Sequence, residues 1–286
     1  RPPFETLTPE EARAAFRAGR AATQPDPQEV AEVRDLACPG PAGTGAEEAL
    51  PALVYYHGGG WLLGGLDSHD VICRRLANLA RCAVVSIDYR MAPEHKFPAA
   101  VRDSAAATRW IVENAGRLRI DPARVAVGGD SAGGNLAAVM ALMARDGDLP
   151  KLAFQLLIYP ATDMMMVTVS SQTVREGVPL TSDTMRWFID HYLRDSADGL
   201  DWRASPLRAA SLAGTAPALV LTASADPLRD EGLAYAERLE REGVRVKLLH
   251  VSDQVHGFMS MGRIIRAADV SMQMMAAALR QALTPA

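Results

Sequence analysis

The sequence predicts an α/β fold, with a mostly parallel central sheet covered by helices on both faces. Two observations carry this. Short, mostly apolar runs with β-branched residues recur at 53–56, 83–87, 125–127, 154–158, 218–222 and 244–249, the length and composition of strands buried on both faces. Longer stretches of helical pattern lie between them, at 69–80, 99–113, 133–145, 230–242 and 263–283. Strand and helix in this cadence build a parallel sheet from strand–helix–strand units. In such sheets the ligand site sits at the carboxyl ends of the strands, so chemistry is to be sought there.

At 286 residues the chain can bury one large core, and 49% hydrophobic with 22% charged residues is ordinary for a folded domain. A formal net charge of −4 gives no basic footprint for nucleic acid, and no polybasic stretch marks an acidic membrane surface. No apolar run approaches the ~20 residues of a membrane span, which argues against stable membrane insertion. The opening RPPFETLTPEEARAAFR has no signal-peptide pattern. The chain starts on Arg1 and not on Met, which leaves room for residues upstream. Three cysteines, Cys38, Cys73 and Cys82, cannot all pair and form no C-x-x-C. They read as small thiols in a reducing compartment, and a cytoplasmic location is the expectation.

Two segments depart from the alternation. Residues 7–21 open with Thr8 as a helix N-cap, Pro9 at the first helical position and Glu10 and Glu11 in the first turn, before a Pro-rich link at 24–28. Residues 163–193 form an insertion between strands, in which 181–193 (TSDTMRWFIDHYL) is helical and rich in large apolar groups. Together, as about 1–28 and 163–195, they are expected to form a helical cap over the strand ends of a single domain spanning 1–286. The run Met164–Met165–Met166 suits an adaptable apolar wall or plain packing.

Between a strand and a helix stands Gly129-Asp130-Ser131-Ala132-Gly133, a G-x-S-x-G. A nucleophilic serine in this motif occupies a strained strand-to-helix turn that only small neighbours permit. The helix that follows aims free N–H groups and a partial positive charge at the oxygen that becomes negative during acyl transfer. A phosphate-cradling turn would resemble this, but the G-K-[ST] ending of a P-loop is absent. After the strand at 53–56 comes His57-Gly58-Gly59-Gly60-Trp61. Three successive glycines are entropically costly, and what they permit is a loop whose N–H groups face a cavity unobstructed. Loops of this type supply oxyanion donors in lipases and esterases, together with the N–H after the nucleophile. Gly59, Gly60 and Ala132 are the expected donors, and His57 is read as a loop anchor.

A serine hydroxyl needs an imidazole to remove its proton, and the imidazole needs an acid to orient it. Asp226 stands just past the strand at 218–222, whereas Asp230 is expected to face solvent on the next helix. His256 lies in a loop after the last strand, with Gly257 leaving room for its ring to turn. His250 ends a strand, Asp253 is too close to His256 in sequence to face its ring, and His69, His95 and His191 fall on helix or cap segments. Ser131, Asp226 and His256 are therefore the candidate triad, each placed after a predicted strand.

With these residues in view, the chain resembles the bacterial hormone-sensitive-lipase-like esterases over nearly its whole length. The likeness rests on HGGGW at His57, DYRMAPEHKFPAA at Asp88, GDSAGGN at Gly129, YPATD at Tyr159, DPLRDEG at Asp226 and HGF at His256. It implies an α/β-hydrolase core with a cap, hydrolysis of short- to medium-chain acyl esters, and no metal or organic cofactor. It assigns Ser131, Asp226 and His256 to the triad and Gly59, Gly60 and Ala132 to the oxyanion hole. The stretch at Asp88 is read as a structural loop held by Tyr89, Arg90 and Glu94. The N-terminal segment is shorter than is usual in the family and 251–255 (VSDQV) is atypical, and both bear on substrate access. An amidase or an acyltransferase would use the same triad. A non-catalytic ligand receptor on this fold would be expected to lose a triad member. The partner expected is a small-molecule ester, with the protein a monomer or a homodimer.

Overall fold

The computed structural model describes residues 2–36 and 49–284; Cys38 lies outside them. Among the described residues six strands form one parallel sheet: β1 (Leu50–Tyr56), β2 (Ala83–Ile87), β3 (Ile120–Asp130), β4 (Phe154–Ile158), β5 (Ala218–Ala225) and β6 (Val246–Val255), in the spatial order β2-β1-β3-β4-β5-β6. From β1 the chain steps outward to β2, then returns to the other side of β1 and continues in one direction to β6. The order therefore reverses between β1 and β3, whose carboxyl ends open the crevice where ligands bind in such sheets.

The helices are α1 (Pro9–Thr23), α2 (Leu66–Ala80), α3 (Ala99–Glu113), α4 (Ala115–Leu118), α5 (Ala132–Arg145), α6 (Val169–Thr173), α7 (Ser182–Tyr192), α8 (Arg229–Arg241) and α9 (Arg266–Leu283). Alternation along each strand divides the core. Val54 and Tyr56 of β1, Val125 and Val127 of β3 and Leu157 of β4 pack with Leu136 and Val139 of α5 and Leu239 of α8. Leu53, Tyr55, Ala126, Leu156 and Ile158 face the opposite way, onto Ile72 and Leu76 of α2 and Met272, Met275 and Leu279 of α9. Each Leu-sized side chain so buried contributes about 2 kcal/mol. The first eleven residues of α5 are buried throughout, which fits its place between the sheet and the layer outside it.

Helix α1 begins as its sequence predicts. Thr8 Oγ1 accepts from Glu11 N–H, and Glu11 returns a carboxylate oxygen to Thr8 N–H at 2.9 Å. Residues 4–6, which precede α1, meet α7. Phe4 and Phe188 lie 6.3 Å apart between ring centroids, and Thr184 Oγ1 donates to Glu5 Oε2 at 2.6 Å. Of the methionine run, Met164 and Met166 are buried and Met165 is partly exposed. Among the described residues no helix is long and apolar enough to cross a membrane.

Candidate active site

The turn from β3 into α5 places Ser131 at φ 57° and ψ −118°, a strained backbone for a residue with a side chain. Its neighbours hold it there. Ser131 N–H donates to Ile158 O at 2.8 Å, and Ser131 O accepts from Asn135 N–H at 3.0 Å. Asn135 spends its amide donors on Ala161 O and Ala204 O, at 2.9 and 2.7 Å, tying α5 to the loop after β4. Gly133 shows why the motif needs its glycines: a Cβ there would stand 1.9 Å from Tyr56 O and 2.8 Å from His57 O. Helix α5 thus crosses directly over the end of β1.

Ser131 Oγ lies 2.9 Å from His256 Nε2, and His256 Nδ1 lies 2.7 Å from Asp226 Oδ2. Asp226 follows β5 immediately, is fully buried, and accepts Leu228 N–H on Oδ1 at 2.8 Å. His256 follows β6 immediately, so the residues 251–255 are strand and deliver the imidazole to the sheet's carboxyl edge. Its ring rests on Tyr159, 4.6 Å between centroids. The structure therefore brings the three residues into one hydrogen-bonded row.

The loop leaving β1 lies beside this row. Gly59 has φ +124°, and a Cβ on it would sit 2.1 Å from Leu63 O, so the loop can close only around glycine. The Phe188 ring of α7 comes so near Gly60 that a Cβ there would lie 2.3 Å from it. Ala132 is the first residue of α5, where backbone N–H groups have no acceptor within the helix. His57 is buried against Tyr89, 4.3 Å between stacked rings, and its carbonyl accepts from Tyr89 Oη at 2.6 Å. Burial, with His69 nearby, pushes the His57 imidazole down to about 3. It is neutral and anchors the loop. Arg90 pairs with Asp103, and Glu94 with Arg13 of α1, so the stretch at Asp88 is held by the residues expected to hold it.

The other candidates fall elsewhere. His250 sits within β6, bonded to Thr222 and Ser224. Asp253 is an exposed residue of the same strand. Asp230 is a correction: it does not face solvent freely but accepts Ser170 N–H at 2.8 Å and so ties α6 to α8. His69 is the residue whose importance the sequence hides. It is fully buried behind the glycine loop, with its Nε2 3.2 Å from Asp130 Oδ1. Burial by itself would raise the Asp130 carboxyl, but the donors and positive charge gathered around it, Arg20 and the Tyr55 hydroxyl among them, outweigh it and hold it well below the usual carboxylate range. Contacts between residues 49, 61 and 75 positions apart leave no local pattern to read. Among the described residues, no group of three or more His, Cys, Asp or Glu is arranged to hold a metal.

This geometry has close relatives. A family model described as alpha/beta hydrolase fold matches residues 53–260. A carboxylesterase of Mycobacterium tuberculosis, NlhH, is 46% identical over 241 residues, covering 82% of this chain and 74% of that protein. The ethyl acetate hydrolase of Pseudomonas putida is 45% identical over 233 residues, covering 81% and 73%. Among solved structures, the thermostable carboxylesterase EstE1, cloned from a metagenomic library, superimposes with a TM-score of 0.90 at 40% identity, over 98% of this chain and 99% of that one. Relatives 40–46% identical over most of this chain are thus named for ester hydrolysis. The chain belongs to the hormone-sensitive-lipase-like carboxylesterases of the α/β-hydrolase superfamily.

Proposed function

We propose that this carboxylesterase works by two-step acyl transfer with Ser131 as nucleophile, His256 as general base and acid, and Asp226 as the residue that orients the imidazole. The observation that carries the reading is the unbroken row from Ser131 Oγ to His256 at 2.9 Å and on to Asp226 at 2.7 Å. His256 Nε2 takes the hydroxyl proton as Oγ attacks the ester carbonyl. Asp226 accepts the Nδ1–H, which fixes the tautomer and stabilises the imidazolium that forms. The N–H groups of Gly59, Gly60 and Ala132 receive the oxyanion; one such donor is worth about 3 kcal/mol of barrier. The protonated His256 gives its proton to the departing alcohol, and water activated by the same imidazole releases the acid.

Short- to medium-chain acyl esters are the proposed substrates. Phe188 against Gly60, with Phe4 behind it, supports this reading because bulky rings from the proposed cap limit the room above the glycine loop. The segments 1–28 and 163–195 act in it as that cap. A cytoplasmic site of action is part of the proposal, on the expectation that the cysteines are thiols in a reducing compartment. For a homodimer the outer edge of β6, where Leu248 is half exposed, is one sheet edge that could pair; light scattering separates monomer from dimer. The test of substrate class is a hydrolysis profile over p-nitrophenyl esters of increasing acyl length beside the matching anilide. Turnover that peaks at short acyl chains with the anilide untouched is expected. A preference for the anilide, or turnover rising through long chains, would overturn the substrate class.

A further inference from the structure

Helix α1 reaches behind the glycine loop with two arginines seven residues apart. Arg13 Nε donates to Leu62 O at 3.0 Å. Arg20 sends its guanidinium inward, where Nη1 is buried with no hydrogen-bond partner and Nη2 lies 2.8 Å from His69 Nε2. Burying a cation is costly unless an opposing charge uses it. The opposing charge is Asp130, the residue before Ser131, whose Oδ1 accepts from Tyr55 Oη at 2.7 Å and from Gly58 N–H at 3.0 Å.

The hydrogen bonds fix the tautomer of His69. Gly58 N–H at 3.2 Å and Arg20 Nη2 at 2.8 Å can only donate to His69 Nε2, and Ser68 Oγ, which donates to Gly65 O at 2.9 Å, is free to accept from Nδ1, 2.8 Å away. Nδ1 therefore carries the proton and Nε2 presents a lone pair. That lone pair faces the Asp130 carboxylate, with oxygens at 3.2 and 3.3 Å, an arrangement that repels unless a cationic donor joins them. Arg20 Nη2 donates to that lone pair at 2.8 Å, and its charge acts on Asp130 through space. A Gly58 N–H contact at 3.2 Å completes the cluster.

We propose that Arg20 is a positioning residue for ester hydrolysis: its guanidinium holds His69 by a hydrogen bond and balances the Asp130 charge, and through His69, Asp130 and Gly58 it sets the glycine loop beside Ser131. This rests on the acyl-transfer reading above. The groups facing His69 are Arg20 from α1, Ser68 beside it on α2, His57 from the glycine loop, Tyr55 from β1 and Asp130 from β3, with Cys73 and Tyr159 in electrostatic reach of Tyr55 and Asp130. Burial lowers the proton affinity of His69 and Arg20 lowers it further, against the pull of Asp130. Without Arg20, His69 is expected to take a second proton and replace the missing charge.

The experiment compares Arg20→Met, Arg20→Lys and Arg13→Met with the wild type, by kcat and KM on p-nitrophenyl butyrate from pH 6 to 9 and by NMR of the His69 imidazole, assigned with His69→Gln. Arg20→Met is expected to lose about tenfold in kcat at pH 8, part of what a whole oxyanion donor supplies, with KM changed less than about twofold. Its kcat relative to wild type should recover as pH falls, while its His69 becomes doubly protonated. Arg20→Lys should restore most of kcat, and Arg13→Met should give a pH-independent ratio. Wild-type kcat in Arg20→Met with a flat ratio and a neutral His69 would overturn the proposal. Should Arg20→Met not fold, the wild-type spectrum decides: an Nδ1–H tautomer supports the proposal and an Nε2–H tautomer overturns it. A wild type without esterase activity would sink the acyl-transfer reading and leave the NMR arm standing as a separate measurement.

Discussion

Asp226→Asn is the substitution whose outcome the geometry fixes most tightly. An asparagine keeps the shape of the carboxylate, so the question is which way its amide points. Leu228 N–H donates to Oδ1 at 2.8 Å inside a fully buried site, and only an oxygen can accept it. The amide nitrogen is therefore forced to the Oδ2 position, 2.7 Å from His256 Nδ1, where it presents an N–H. A donor there requires Nδ1 to be the unprotonated nitrogen, which moves the imidazole proton to Nε2. His256 then faces Ser131 Oγ with a hydrogen and not with a lone pair, and cannot accept the hydroxyl proton. A wrong tautomer in such a row costs about 10⁴ in kcat, roughly 5 kcal/mol of barrier. The assay is initial-rate hydrolysis of p-nitrophenyl butyrate with circular dichroism to show an intact fold. Activity within tenfold of wild type, in a folded variant, would refute the argument.

Three further outcomes follow from particular contacts. Gly133→Ala puts a Cβ within 1.9 Å of the Tyr56 carbonyl, a backbone atom that cannot swing aside, and should destabilise by about 3 kcal/mol with a Tm lower by several degrees in scanning fluorimetry. Phe188→Ala removes the ring over Gly60 and should move the acyl-length optimum to longer chains, with kcat/KM for the acetate ester down about tenfold. Glu231 is buried on α8 with Oε1 accepting Thr162 and Asp163 N–H groups and Oε2 unpartnered, and burial pushes its carboxyl up from 4.5 to about 8. Its folded value lies above its unfolded one, so the native state holds the extra proton between these limits and stability is lost as pH rises through that window. The slope reaches at most about 1.4 kcal/mol per pH unit, and urea titrations of Glu231→Gln should show it flattened.

How much was legible in the sequence depends on the range of each signal. The bounds Ala83–Ile87, Phe154–Ile158 and Ala99–Glu113 coincide with their apolar patterns because each element is continuous and flanked by breaks in the pattern. Strand β3 reads as 125–127 but begins at Ile120, since Asp121, Pro122 and Arg124 interrupt the apolar run where its pairing with β1 shifts register. Strand β6 reads as ending at 249 but runs to Val255, because a sheet edge exposed to water tolerates Ser252, Asp253 and Gln254. Ser131, Asp226 and His256 each carry a local motif, and the structure brings them together. Arg20, His69 and Asp130 carry none that links them. His69 looked like one helical histidine among several, and its partners arrive from α1 and from the end of β3, 49 and 61 positions away.

The most direct measurement of the central claim is covalent. A p-nitrophenyl phosphonate reacts as the ester does, but its tetrahedral adduct with a serine oxygen does not turn over. Labelling should reach one equivalent per chain, lose ester hydrolysis in step, and carry its added mass on the peptide containing Ser131, with no adduct in Ser131→Ala. A stoichiometric adduct on any other residue, or ester hydrolysis by Ser131→Ala near the wild-type rate, would contradict the account.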